Sequence, residues 1–133
     1  MSSLTVFDTN VFVSYLLPSK QISAVKIAVS QISTGNTIPV YSIPIVAEYE
    51  KVLHYKKFHF SADKIHALLE LVLRNGQYVA PNPTNVHFTD ANDKCFYDAA
   101  VAAGAWLITG NMKHFPREDF IVTPRQWLER MGL

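Results

Sequence analysis

Short runs rich in β-branched and aromatic residues alternate with segments of helical period along this 133-residue chain, and that alternation leaves few folds open. The first run is Leu4 to Phe7. It is followed by Val-Phe-Val-Ser-Tyr-Leu-Leu, which can run as a helix until Pro18 interrupts it. Ile22, Val25, Val29 and Ile32 then recur at helical spacing, and Thr-Gly-Asn-Thr turns the chain into a second strand, Ile38 to Tyr41. Ser42 reads as an N-cap with Pro44 in the first turn of a helix that extends to about Tyr55 and buries Ile45, Val46, Tyr49, Val52 and Leu53. Lys56 to Phe60 is a basic, aromatic connector. Ser61 caps the most amphipathic segment, with Ile65, Leu68, Leu69 and Val72 on one face and Gly76 as terminator. Tyr78 to Ala80 predicts a third strand, the segment from Pro81 a loop, and Asp93 to Ala103 a helix stopped by Gly104. The chain closes with strands at Ala105 to Thr109 and Ile121 to Val122, then a helix to Met131 capped by Thr123 with Pro124 as its first residue.

Strands separated by helices join through right-handed crossovers, so the sheet is parallel and covered on both faces. The expected class is three-layer α/β/α with a central parallel sheet, residues 1–133 forming a single domain. At this length roughly two-thirds of the unfolded surface can be buried, so no disulfide or metal staple is needed. Cys95 stands alone, which excludes an internal disulfide and fits a reducing cytoplasm. Residues 1–7 lack the basic and apolar pattern of a leader, and no window reaches the ~18 apolar residues of a membrane span. A net charge of +1 neither demands nor excludes a nucleic-acid partner. Hydrophobic residues at 49% against 17% charged hint at apolar surface covered by a partner.

In open α/β sheets, ligands bind beyond the carboxyl ends of the strands. Asp8 follows the first strand directly and Asn111 follows the Ala105 to Thr109 strand almost as closely, so both fall on that edge. Asp8 could be a helix cap, but Thr9 or Asn10 could cap instead and free it to face the crevice. Glu48 borders the apolar stripe of its helix, with Ile45 at i−3 and Val52 at i+4, and Glu50 lies on the other border; periodicity does not choose between them. Asp93 has Phe96, Tyr97 and Ala100 at i+3, i+4 and i+7, in line with the buried stripe, where an ionised group needs a partner. It also fits the third position of a helix capped by Asp90. Asp98 lies roughly 140° away on the same wheel and reads as solvent-facing or as a support behind the site. Asn111 offers a carbonyl oxygen, and Thr109 a hydroxyl able to orient a nearby carboxylate.

Two basic stretches are candidate nucleic-acid contacts. Lys56 and Lys57 stand among His54, Phe58 and His59, where charge and aromatic rings can hold a single strand. Lys113, His114 and Arg117 follow Asn111 and could bind phosphate. Each stretch also reads as an ordinary solvated loop.

Asp-Thr-Asn-Val-Phe-Val-Ser-Tyr-Leu-Leu from Asp8, Ala-Glu-Tyr-Glu-Lys-Val-Leu from Ala47, the stretch from Asp90 to Phe115, and Val-Thr-Pro-Arg-Gln-Trp-Leu from Val122 together resemble the PIN-domain ribonucleases. The resemblance is to the bacterial and archaeal branch that supplies toxins of toxin–antitoxin pairs, and it covers nearly the whole chain. It implies that Asp8, Glu48 and Asp93 hold Mg²⁺ or Mn²⁺, which selects Glu48 over Glu50, with Asn10 and Thr109 supporting the site. Asn111 stands where many relatives carry a fourth acid. The implied activity is metal-assisted hydrolysis of RNA, with a small antitoxin as partner and a homodimer as a common assembly. Two other readings compete with it. One is a non-catalytic PIN-like module that binds RNA or acts as a scaffold. The other is an aspartate-nucleophile phosphotransferase, which would need a proton donor where Asn10 stands.

Overall fold

The computed structural model describes residues 3–19 and 23–133, so the expectation for Ile22 lies outside the described residues. Five strands, β1 (Ser3–Phe7), β2 (Thr37–Tyr41), β3 (Gln77–Tyr78), β4 (Trp106–Ile108) and β5 (Ile121–Val122), alternate with six helices. These are α1 (Thr9–Leu16), α2 (Ala24–Thr34), α3 (Ile43–Leu53), α4 (Ala62–Asn75), α5 (Ala91–Ala103) and α6 (Pro124–Met131). The sheet has the order β3-β2-β1-β4-β5 with every pairing parallel. β1 to β3 step one way across the sheet and β4 to β5 the other. Right-handed connections therefore put α1 to α4 on one face and α5 on the opposite face, which is the expected three-layer arrangement.

The central strand owes its place to Val6 and Phe7, which are fully buried, and to register pairs that set Phe7 beside Ile108 and Leu4 beside Ile38. Buried hydroxyls are satisfied locally, Thr5 meeting Thr37 at 2.8 Å and Thr37 reaching the Ser3 carbonyl at 2.9 Å. Helix starts follow the expected caps: Ser42, Ser61 and Thr123 accept from the amides of Ile45, Lys64 and Gln126, the last within a capping box. Tyr49 is buried in α3 and donates its phenol to the Phe7 carbonyl at the end of β1. Burial, then the charge of Asp8, pushes that phenol well above the ordinary tyrosine range, so it stays a donor.

Three expectations shift. α3 ends at Leu53, and Lys56–Phe58 form a separate 3₁₀ turn. β3 lies one residue earlier than the Tyr78 to Ala80 reading and is shorter, pairing only Gln77 and Tyr78 with Val40 and Tyr41 before the approach to Pro81. Gly76 does end α4, but in extended backbone rather than a left-handed cap. A Cβ there would lie 2.3 Å from the Val72 carbonyl oxygen and 2.6 Å from that of Pro39, so glycine is needed for close approach.

Candidate active site

Asp8, Glu48 and Asp93 come from three separate elements and line one cleft of about 220 Å³ at the carboxyl edge of the sheet, with Thr9, Asn10, Asp90, Asn92, Asn111 and His114 around them. Asp8 is delivered by β1, one residue past the buried Phe7. Glu48 comes from α3, one residue before the buried Tyr49, and Asp93 from the first turn of α5. Glu50, the residue that periodicity could not separate from Glu48, is exposed and lines no part of the cleft.

The inner end is built around Asp8, only 5% exposed. It stands at the N-cap position of α1, but its side chain makes no cap bond. Neither Thr9 nor Asn10 takes that task over. Instead, Asp8 Oδ2 accepts from Thr109 Oγ1 at 2.7 Å and from Asn10 Nδ2 at 3.1 Å. The Asn10 amide is used at both ends, since its Oδ1 accepts from the Gly110 backbone N–H at 3.0 Å. Thr109 is fully buried and also accepts from the Asn111 amide at 2.9 Å, which fixes the turn at the cleft mouth. Burial raises the Asp8 carboxyl to about 6; the charge of Asp93 adds to the rise and the Thr109 hydroxyl opposes it.

The outer wall is held by ion pairs. Glu48 Oε1 meets Lys51 Nζ at 2.7 Å, and Asp93 Oδ2 meets His114 Nδ1 at 3.3 Å. Asp93 is raised by burial and by the neighbouring Asp90, against the pull of His114. Asp90 caps α5 by accepting from the Asn92 amide at 2.9 Å, while the Asp93 side chain faces the cleft, so the capping and pocket readings hold together across two residues. Lys51 lines the cleft as well, a role the sequence disguised because an i+3 cation beside Glu48 also describes an ordinary solvated flank.

One expectation is narrowed and another extended. Asp98 is not solvent-facing: it is 8% exposed and accepts from Thr84 N and Oγ1 at 3.2 and 2.7 Å and from Lys94 at 2.9 Å. It therefore ties the long 79–90 connection to α5 and does not line the cleft. His114 is not only an exposed phosphate-reaching residue, because it enters the cleft and pairs with Asp93. Lys113 and Arg117 are exposed outside it, as are Lys56 and Lys57 on the 3₁₀ turn after α3. Cys95 is half-buried on α5 with Sγ 3.3 Å from the Asn92 carbonyl. Burial and the nearby Glu48 and Asp8 push its thiol up to about 12, which keeps it in the neutral form.

Carboxylates and an amide carbonyl supply only oxygen, the donor type that hard divalent cations take. Thr9 Oγ1 is buried beside Asp8 without a hydrogen-bond partner among the described residues, one more oxygen on this wall. As the side chains stand, no group of three or more His, Cys, Asp or Glu among the described residues is arranged to hold a metal ion. Each carboxylate is instead engaged by its own neighbour, Asp8 by Thr109, Glu48 by Lys51 and Asp93 by His114.

Residues 5–113 match the PIN domain family, and the chain belongs to that family. Among solved structures it is similar to VapBC2 from Rickettsia felis, crystallised bound to a DNA fragment from their promoter. The likeness has a TM-score of 0.55 and 17% identity over 90% of this chain and 96% of that one, a likeness of fold. No curated protein matches the sequence.

Proposed function

We propose that this protein is a divalent-metal-dependent ribonuclease and the toxin of a type II toxin–antitoxin pair. The observation that carries the reading is the meeting of Asp8, Glu48 and Asp93 in one cleft of a PIN-family chain, at the sheet edge where α/β folds bind ligands. Asp8, Glu48 and Asp93 would hold Mg²⁺ or Mn²⁺, with the Asn111 carbonyl as a neutral fourth donor. Such an ion supplies an activated water at neutral pH and offsets charge on the phosphate and the leaving oxygen.

The chain's own residues do the rest. Thr109 and Asn10 hold Asp8 in one orientation, so the carboxylate enters the site already aimed. Lys51 pairs with Glu48 and His114 with Asp93, and both line the cleft where an anionic substrate would sit. Because burial raises the Asp8 carboxyl to about 6, ion binding would release its proton at pH values below that.

The decisive test is cleavage of RNA by the purified protein with Mg²⁺ or Mn²⁺. Asp8→Asn and Asp93→Asn are each expected to lower it by about 10²–10³-fold, and unchanged rates in both would sink the assignment. The toxin role rests on the PIN family and on a structural neighbour named as VapBC2. It predicts a small antitoxin whose co-expression relieves growth arrest, and the family resemblance extends the reading to a cytoplasmic homodimer. No helix among the described residues is long and apolar enough to cross a membrane.

The specific observation favouring a non-catalytic module is that the acids are not arranged as a metal-holding group. Titration with Mn²⁺ separates the two readings: the module binds no ion and cuts no RNA. The phosphotransferase reading finds no support at Asn10, whose amide is committed to Asp8 and Gly110.

A further inference from the structure

The cleft does not end at its acids. Tyr55 lines it just past the end of α3, and from Tyr55 a stack of aromatic rings leads away across the connector to α4. The Tyr55 and Phe58 rings lie 6.3 Å apart at 19°, and those of Phe58 and Phe60 lie 5.4 Å apart at 15°, so the three are near parallel. Phe60 packs against the hydrophobic core and anchors the far end, while Tyr55 is 42% exposed at the cleft. A left-handed residue, His59 at φ 56°, turns the chain between Phe58 and Phe60 and brings their rings together.

Tyr55 is exposed and Phe58 half-buried, and the exposed Lys57 lays its ammonium 5.2 Å from the Phe58 centroid and 5.9 Å from that of Tyr55. A planar base can reach where a lysine reaches. Lys56 beside it and Lys51 inside the cleft make the path from the acids to the stack basic. Parallel aromatic faces with cations alongside are what unpaired nucleotides need: bases stack, and phosphates follow the charge.

We propose that Tyr55 and Phe58 form a base-stacking subsite for the unpaired nucleotides on one side of the phosphate held in the cleft, with Lys57 leaving the ring faces to meet the backbone. This rests on the nuclease reading only for the identity of the cleft's occupant. Tyr55 and Phe58 are binding residues and touch no reacting atom. Their part is to fix which stretch of a strand lies over the acids.

The test separates binding from cleavage. Fluorescence anisotropy with a labelled oligouridine, and with a duplex of the same length, is measured in EDTA on the Asp8→Asn protein with and without Tyr55→Ala or Phe58→Leu. The second change keeps apolar bulk without a ring face, and circular dichroism confirms folding. Each is expected to weaken single-strand binding by about tenfold, the loss of one stacking contact, and to leave duplex binding within about twofold. Single-strand affinity unchanged in both variants overturns the proposal, as does an equal loss for the duplex or no binding of oligouridine before mutation. If the unmutated protein cuts no RNA with Mn²⁺ yet shows the stacking loss, the subsite stands and the nuclease reading falls.

Discussion

The two ends of the cleft are built on opposite plans. At the inner end Asp8 is buried and gripped by neutral donors, Thr109 and Asn10, which are themselves tied to the Asn111 and Gly110 amides. At the outer wall Glu48 and Asp93 are half-buried and paired with the long or exposed side chains of Lys51 and His114. A strand end placed by the core fixes one carboxylate. Helix-borne carboxylates paired with long or exposed side chains leave the other two adjustable.

Breaking the fixed end should have the largest effect. Asp8→Asn is expected to lower Mn²⁺-dependent cleavage by about 10²–10³-fold, as for loss of a preorganised electrostatic group. It should also stabilise the metal-free fold at neutral pH. The Asp8 carboxyl is raised from 3.8 to about 6, so the folded chain binds this proton more tightly than the unfolded one. That contribution is full below about pH 4 and is lost as the pH rises through 6, ~3 kcal/mol in all. Urea midpoints in EDTA should therefore favour Asp8→Asn at pH 7 and converge with the parent near pH 4. A variant less stable than the parent at pH 7 would mean that burial does not strain this carboxylate.

Thr109→Val attacks the same end through its donor. It is expected to cost about 1–3 kcal/mol of stability at pH 7, because a buried carboxylate loses its hydrogen bond. The Thr109 hydroxyl holds the Asp8 carboxyl down, so its loss moves the acid limb of the pH–rate profile to higher pH. An unmoved limb would show that a group other than Asp8 sets it.

On the adjustable wall, Lys51→Met should leave the urea midpoint almost unchanged, since the lysine is half exposed. Calorimetric titration should show tighter binding of Mn²⁺ as Glu48 loses its competitor. Weaker binding would place Lys51 as a support for the ion site. The smallest effect is expected for Glu50→Gln, with cleavage within about twofold of the parent, because Glu50 faces solvent. A large loss there would reverse the choice between the two α3 acids.

Most of the architecture was legible because apolar period and capping residues act locally. Ser42, Ser61 and Thr123 do at their helix starts what their types dictate. Asp93 was legible as a carboxylate on a buried stripe, whereas Glu48 and Glu50 could not be separated, since a helical wheel shows the stripe's borders but not which one faces a neighbouring strand end. The solvent-facing reading of Asp98 failed for a related reason. Its face of α5 is covered by the irregular 79–90 connection, which carries no period and so leaves no trace of itself on the wheel. His114 joins Asp93 across 21 positions through a 3₁₀ turn whose direction no local pattern encodes.

One bond in the core ties two walls of the cleft together. The Tyr49 phenol meets the Phe7 carbonyl, and the residues next to those two in the chain are Glu48 and Asp8. The two carboxylates are thus spaced by an uncharged tie one residue removed from each, out of reach of solvent. The gauge of the site is held by a part that does no chemistry, so cleft residues can change while the distance across it is kept.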